Sequence, residues 1–350
     1  MAKDAGKNKS GIASEARAPG AGRTGSASSY ALEFEKPISQ LEKQIQELVN
    51  IQEEKGVDYN AEIMQLRQNM VALLKKTYQN LSAWETVQVA RHPQRPQTRD
   101  YINMFVKEFD ELHGDRRFGD DKAIITGTGR IGGHKVMLVG HYKGADTKEK
   151  IACNFGCAHP EGYRKALLKM QFAAKFHLPI VTLIDTQGAY PGIGSEERGV
   201  AEAIAVNLRE MTLLPTPIVC VVIGEGGSGG ALGIGVGDRL AMMQYAWYSV
   251  ISPEGCSAIL WKEAAHAPEA AEALKLTSGH LKRLGIIDEI IEEPLGAAHR
   301  NPRGAGDALE RYIDKTLREL KKLPVDKLVD RRYERLRRLG TDAVLAGAEE

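Results

Sequence analysis

The segment PIVCVVIGEGGSGGALGIGVGD, Pro217 to Asp238, concentrates potential chemistry in one short run. Gly224, Gly226 and Gly229 satisfy G-x-G-x-x-G, the turn that lets a pyrophosphate approach the backbone at a helix start. Gly226, Ser228 and Gly230 satisfy G-x-S-x-G, in which Ser228 would be a nucleophile on a sharp strand-to-helix bend. The pair Gly229-Gly230, ahead of the small-residue run ALGIG, could also present bare amides to a developing negative charge. The three templates predict a dehydrogenase, a serine hydrolase and an enolate-handling enzyme.

Context separates them. A dinucleotide turn follows the first strand of its domain and has an acid about 20 residues on, after the next strand. Here the cluster follows a late strand, Asp238 stands before the next one, and a chain with 36 glycines matches short glycine patterns easily. A nucleophilic Ser228 needs a histidine and an orienting acid. His266, His280, His299 and Asp288 lie downstream, but none sits in a recognisable motif. The oxyanion reading asks only for backbone. The first amides of a helix have no intrahelical acceptor, and its dipole favours negative charge there. Glycines at 229 and 230 would leave those donors uncovered, each worth on the order of 3 kcal/mol to a transition state.

A second glycine turn, DTQGAYPGIG, also follows an apolar strand and precedes a helix. Two such strand ends would place Gly188, Ala189, Tyr190 and Gly192 on the same sheet edge as Gly226 and Gly227, where open α/β sheets bind ligands. Tyr190 and Pro191 would supply apolar wall. Two unrelated tight turns are the alternative.

The elements that must position these loops are legible from periodicity. ISQLEKQIQELVNIQ carries Ile38, Leu41, Ile45, Leu48 and Ile51 on one helical face, Gly56 breaks it, and a second face follows with Ile63, Leu66, Met70, Leu73 and Leu74. This hairpin either rests its apolar stripe on its own chain or grips another subunit. Ser82–Glu85 fits a capping box opening a short helix, which ends at ARHPQRPQT. Arg91, His92 and Arg95 in that loop are either a phosphate contact or an exposed basic loop. YINMFVKEFDEL continues with helical spacing. From Asp120 the pattern becomes strands joined at Gly132-Gly133, then PEGYRKALLKMQFAAKFHL as a helix, PIVTLID as a strand, SEERGVAEAIAVNLREM as a helix and PIVCVVIG as a strand. Such alternation implies a layered α/β core, and continuous apolar strands imply a sheet covered on both faces. The end, DRRYERLRR, reads as a basic helical segment, either solvated or facing an acidic partner. The expected organisation is a disordered tail over 1–29, a helical arm over 30–118, a core over 119–300 and a helical segment over 301–350.

Composition narrows the partners. In 350 residues, 47 Lys and Arg oppose 46 acids, so a net charge of +1 gives no general field for nucleic acid or membranes. No apolar run reaches the roughly 20 residues a bilayer span needs. The first 29 residues lack the apolar stretch of a secretory signal; a plain tail is favoured over a transit peptide by Asp4 and Glu15. Cys153 and Cys157 are spaced C-x3-C near His159 with no second ligand pair, so no metal site is expected, and a reducing cytoplasmic setting fits best.

ARHPQRP, FDELHGDR, DDKAI, NFG, PEGYRKAL, IDTQGAYPG, EERG, VIGEGGSGGALGIGVGD, SVISPEGC and LGAAHRNP, in that order, resemble the alpha-subunit family of bacterial-type acetyl-CoA carboxylase carboxyltransferases, from about Leu32 to about Arg338. The resemblance implies an α/β ClpP/crotonase-like spiral of ββα units with an N-terminal helical arm and C-terminal helices. It implies an α2β2 assembly with a separate beta subunit that carries a zinc ribbon and holds the acetyl-CoA enolate. It implies carboxyl transfer from carboxybiotin, borne on the biotin carboxyl carrier protein and loaded by biotin carboxylase, to acetyl-CoA, giving malonyl-CoA for fatty-acid synthesis. Gly229 and Gly230 would face the biotin carbonyl as the oxyanion hole. Gly188, Ala189, Tyr190, Gly192, Gly226 and Gly227 would line the carboxybiotin and CoA pocket. No permanently bound cofactor is implied, and the biotin anion itself would deprotonate the acetyl methyl group. A hydratase or isomerase relative acting alone would instead need an acid or base, for which Glu225 and Glu254 are nearest. The sequence departs from the family pattern at Gln187 (commonly Pro), Cys157-Ala158 (commonly Met-Pro) and Ala297 (commonly Gly).

Overall fold

The structure, a computed structural model, describes residues 30–341. The expected 1–29 tail and the last nine residues of the C-terminal segment lie outside the described residues. The chain opens with helices α1 (Lys36–Lys55), α2 (Asn60–Tyr78), α3 (Ala83–Ala90) and α4 (Thr98–Phe105). Gly56, with φ +65°, caps α1 in the left-handed conformation that its sequence position anticipates. Ser82 caps α3 through the expected box, accepting from the Glu85 amide while Glu85 accepts from the Ser82 amide.

The helical reading of YINMFVKEFDEL holds only to Phe105. Lys107–Glu111 is strand β1, paired antiparallel with β2 (Ile124–Ile131) across a register shift between Lys107 and Asp110. Its helical spacing is overridden by the open edge of β2, whose backbone groups need a partner. Hence the sheet begins within the stretch read as arm.

β2 turns at Gly132-Gly133 into β3 (His134–His141), as expected of a hairpin. Helix α5 (Thr147–Ala152) and α6 (Pro160–Lys175) follow, then β4 (Ile180–Thr186). The helix expected from SEERG onward is two helices, α7 (Ile193–Glu197) and α8 (Val200–Leu213), because Gly199 at φ +77° breaks the ladder. Next come β5 (Ile218–Gly227), the short α9 (Ser228–Leu232), β6 (Arg239–Met243) and β7 (Trp247–Ser249). Helices α10 (Pro253–Trp261), α11 (Ala267–Ala273) and α12 (Ser278–Arg283), strand β8 (Glu289–Ile291) and helices α13 (Ala297–Arg300), α14 (Pro302–Leu320) and α15 (Val325–Arg338) complete the described chain.

The sheet order is β1-β2-β3-β4-β5-β6-β8, with β3 onward parallel. β5 is shared: Val219–Val222 pair with β6, and Glu225–Gly227 pair with β7. That split leaves the β5 end flanked by backbone on two sides, β4 and β7. Every residue of β4 and β5 is buried, as their continuous apolar sequences imply.

Two charged clusters lock the first and last described helices to this core. Glu35 accepts hydrogen bonds from Tyr78 Oη (2.6 Å), His299 Nε2 (3.1 Å) and Arg300 Nε (2.9 Å), which root the arm on α13. His92 stacks on His299 with ring centroids 3.9 Å apart. Glu35, His92 and His299 could group as metal ligands, but the Arg300 guanidinium already neutralises Glu35. At the other end Arg332, 1% exposed, donates to both Asp238 carboxylate oxygens at 2.9 Å and to the carbonyls of Met211, Leu214 and Thr216 at 2.8 Å. The basic C-terminal helix is therefore neither simply solvated nor aimed at a partner there: its acid lies in the same chain. Asp238, the acid a dinucleotide turn would require, is spent on that staple.

Ala297, where the resemblance leads one to expect glycine, sits at φ +68° and is fully buried. The left-handed strain of about 1–2 kcal/mol is offset by its buried methyl, about 0.8 kcal/mol, and by the smaller unfolded-state freedom of alanine, about 0.5–1 kcal/mol.

Candidate active site

The two glycine turns meet. Asp185 Oδ1 accepts from the Glu225 amide at 2.9 Å, tying the ends of β4 and β5. Thr186 Oγ1 donates to the Gly188 carbonyl at 2.8 Å and accepts from the Gly188 amide at 3.1 Å, closing the turn after β4. The Tyr190 amide donates to the Ala158 carbonyl at 3.0 Å, and its ring lies 4.3 Å from that of His159.

Backbone then packs on backbone. A Cβ at Gly227 would land on the Gln187 carbonyl, and one at Gly230 would overlap Gly188 and come within 2.6 Å of the Ala189 nitrogen. Gly229 is different, since its Cβ would meet only Ile204 at 3.6 Å. The sequence expectation that both glycines clear space for a ligand is corrected for Gly230: its missing side chain clears space for the Gly188 turn. Gly226 is likewise buried, under the Tyr248 ring, and Gly192 closes against Tyr190.

Between the turns lies a cleft of about 810 Å³. Gly188, Ala189, Tyr190 and Gly229 line it with Gln187, Pro191, Val200, Ala201, Ile204, Val250 and Ile251. Arg91, Glu196, Ser228, Ser252 and Glu254 complete the lining, adding three charged groups and two hydroxyls. Of the expected site residues, Gly226, Gly227 and Gly230 stand behind this wall, and Gly192 stands beside it.

Ser228 takes φ +53°, the sharp bend of a nucleophile elbow. The partners it would need are engaged elsewhere. His266 faces Glu263 and Glu269, His280 bonds Thr277, His299 bonds Glu35 and Asp288 pairs with Arg335. Upstream, His159 bonds Ser195 at 2.7 Å. Fully buried His141 lies near the Gly230 backbone, and burial, reinforced by the Lys143 charge, pushes its pKa down to about 3.

Behind the cleft runs a chain of charges. Lys143 Nζ bridges Asp185 (2.6 Å) and Glu225 (2.8 Å); Glu225 accepts from Arg91 Nε at 2.8 Å; Arg91 Nη1 reaches Glu254 at 2.5 Å. Burial pushes the Glu225 carboxyl up, but Lys143 and Arg91 outweigh it and hold the pKa below the usual range. Glu254 is held low in the same way by Arg91 against its partial burial. Both are therefore anions rather than the proton donors a lone hydratase would use.

The loop ARHPQRP is not the exposed basic loop of one expectation. Arg91 forms cleft wall, His92 stacks in the root of the arm, and Arg95 is buried, donating to Glu293 at 2.9 and 2.7 Å and to the Ile223 carbonyl at 2.9 Å. Sequence reasoning missed Lys143 and Asp185 altogether. The available signal was a charged residue closing each apolar strand, in GHYKG, TLID and VVIGE.

Comparisons with known proteins agree with this architecture. The model of the family described as acetyl co-enzyme A carboxylase carboxyltransferase-like matches residues 31–340. The acetyl-coenzyme A carboxylase carboxyl transferase subunit alpha of Rhodopirellula baltica is 55% identical over 309 residues, 88% of this chain and 97% of that protein. The subunit of the same name from Vibrio vulnificus is 54% identical over 312 residues, covering 88% and 98%. Among solved structures, the transcarboxylase 12S hexamer with methylmalonyl-coenzyme A and methylmalonic acid bound superposes with a TM-score of 0.50 at 21% identity. That match covers 63% of this chain and 42% of the other, so the chain spans less than half of that protein. The fold is the crotonase-like α/β fold of carboxyltransferases, and the chain belongs to the acetyl co-enzyme A carboxylase carboxyltransferase family.

Proposed function

We propose that this chain is the alpha half of a biotin-dependent carboxyltransferase: with a beta subunit, in an α2β2 assembly, it moves the carboxyl group of carboxybiotin to acetyl-CoA, forming malonyl-CoA. The observation that carries the reading is the cleft between the two interlocked glycine turns, with Gly229 in its wall, in a chain more than half identical to carboxyl transferase alpha subunits. Carboxybiotin enters as a substrate on its carrier protein, which biotin carboxylase charges. The α9 amides, that of Gly229 in the cleft wall and that of Gly230 one residue behind it, stabilise the negative charge that develops on the ureido oxygen as the carboxyl group leaves. Gly230 also sets the width of the cleft by admitting the Gly188 turn. Ala189, Tyr190 and Ile204 exclude water, which strengthens those donors. The beta subunit supplies the second oxyanion site, for the acetyl-CoA enolate, which fits the engagement of Glu225 and Glu254 by Arg91.

A cytoplasmic setting belongs to the same reading, supported by four unpaired thiols. No helix among the described residues is long and apolar enough to cross a membrane. The test is reconstitution of the chain with beta subunit and carboxylated carrier, assayed on acetyl-CoA and propionyl-CoA. Transfer to acetyl-CoA that requires both added proteins is expected. Turnover of an acyl-CoA by this chain alone would overturn the division of labour.

A further inference from the structure

Among the residues that line the cleft, Arg91 is the one cation, and its two faces are held very differently. Its Nε bonds Glu225, whose side chain is 2% exposed and which Lys143 ties to Asp185. These four groups, two cations and two anions, balance one another. They fix the guanidinium from behind, and the Trp247 ring lies 5.7 Å from its centre. The outer face, Nη1 and Nη2, is taken by Glu254 from the first turn of α10, at 2.5 and 3.4 Å. Glu254 is the surplus negative charge of the group, and its side chain is 37% exposed. A half-exposed ion pair of this kind contributes little to stability. A guanidinium fork with one face fixed is built for a second, bidentate carboxylate.

We propose that Glu254 is a place-holding carboxylate: it occupies the outer face of Arg91 in the free subunit and yields that face to the carboxyl group of the carboxylated biotin donor. Arg91 then reads the carboxyl group, and Glu254, by competing for the same donors, sets how strongly loaded biotin is preferred to unloaded biotin. The inference rests on the carboxyl-transfer reading above and adds a specificity-determining pair to it.

The experiment uses the assembled complex of this chain with its beta subunit. Forward kinetics are read with N1-carboxybiotin and acetyl-CoA, and reverse kinetics with biotin and malonyl-CoA. Glu254→Gln is expected to lower KM for carboxybiotin about fivefold, the scale of a partly exposed ion pair, with a smaller change in KM for biotin. Arg91→Gln is expected to raise KM for carboxybiotin about tenfold or more. In the double variant the Glu254 substitution should no longer change KM for carboxybiotin, whereas simple through-space repulsion would persist without Arg91. Should Arg91→Gln fail to fold, because buried Glu225 keeps only Lys143 of its two cations, Arg91→Lys replaces it. A Glu254→Gln complex whose KM for carboxybiotin is unchanged or raised, or whose losses are equal for loaded and unloaded biotin, overturns the proposal. Wild-type complex that transfers no carboxyl group would instead refute the reading on which it rests.

Discussion

The contrast between Gly229 and Gly230 gives the sharpest test of how the cleft is built. A methyl group at 230 would overlap Gly188 and stand 2.6 Å from the Ala189 nitrogen. These obstacles are backbone atoms of a turn that Thr186 clamps at 2.8 and 3.1 Å, so no side chain can rotate away. Overpacking costs about 1–3 kcal/mol, and here the upper part of that range applies. For a chain of this size, with an unfolding entropy of about 0.7 kcal/mol/K, that is a fall of roughly 3–4 °C in Tm. The Gly188 turn must also move, and a displacement near 1 Å in a reacting geometry costs about 10²-fold in turnover. A methyl group at 229 meets only Ile204 at 3.6 Å, an ordinary contact. Gly229→Ala should therefore melt within about 2 °C of wild type and lose less turnover than Gly230→Ala. Both variants would be assembled with beta subunit, melted, and assayed for malonyl-CoA formation. Wild-type melting and turnover in Gly230→Ala, or equal damage to folding in both variants, would refute the backbone-on-backbone account.

Ser228→Ala should keep most of its turnover, because the expected triad partners are engaged elsewhere; loss of activity with melting and assembly intact would restore the nucleophile. Arg332→Ala should destabilise the chain by about 3–5 kcal/mol by leaving Asp238 buried and unpaired, read by denaturant unfolding; a change below 1 kcal/mol would show the staple to be dispensable. Burial and the neighbouring His299 depress the pKa of His92 to about 4, against an unfolded value near 6.5. Because the unfolded chain then binds the extra proton, His92 contributes stability that is complete above pH 6.5 and falls away as the pH drops toward 4, by on the order of 3 kcal/mol. Glu35, held below the ordinary carboxylate range against its burial by His299, Tyr78 and Arg300, adds a loss that begins lower, as the pH falls below its unfolded value near 4.5. Melting scans from pH 7 to 4.5 should show this slope, and His92→Gln should flatten its upper part; parallel slopes would exclude His92 as the source.

The alternation of strand and helix was legible because buried strands have to be continuously apolar, and the glycine turns because only glycine admits backbone at their closest approaches. The shared cleft followed from placing two such turns on one sheet edge. YINMFVKEFDEL was misread beyond Phe105 because its helical spacing could not reveal that β2 would offer an edge. ARHPQRP was misread because three basic residues look alike in sequence, while their partners are distant: Glu254 is 163 positions from Arg91, and Glu293 is 198 from Arg95.

Sequence by itself determined the family, the layered α/β core and the two glycine turns, since each depends on residue type and local spacing. Tertiary structure alone decided which direction each missing Cβ faces, so that Gly229 borders the cleft while Gly230 admits a neighbouring turn. It also decided which charges meet. Ion pairs such as Arg332 with Asp238 and Arg91 with Glu254 join segments that are remote in the chain, and their energies depend on distance and burial, which only the folded chain sets.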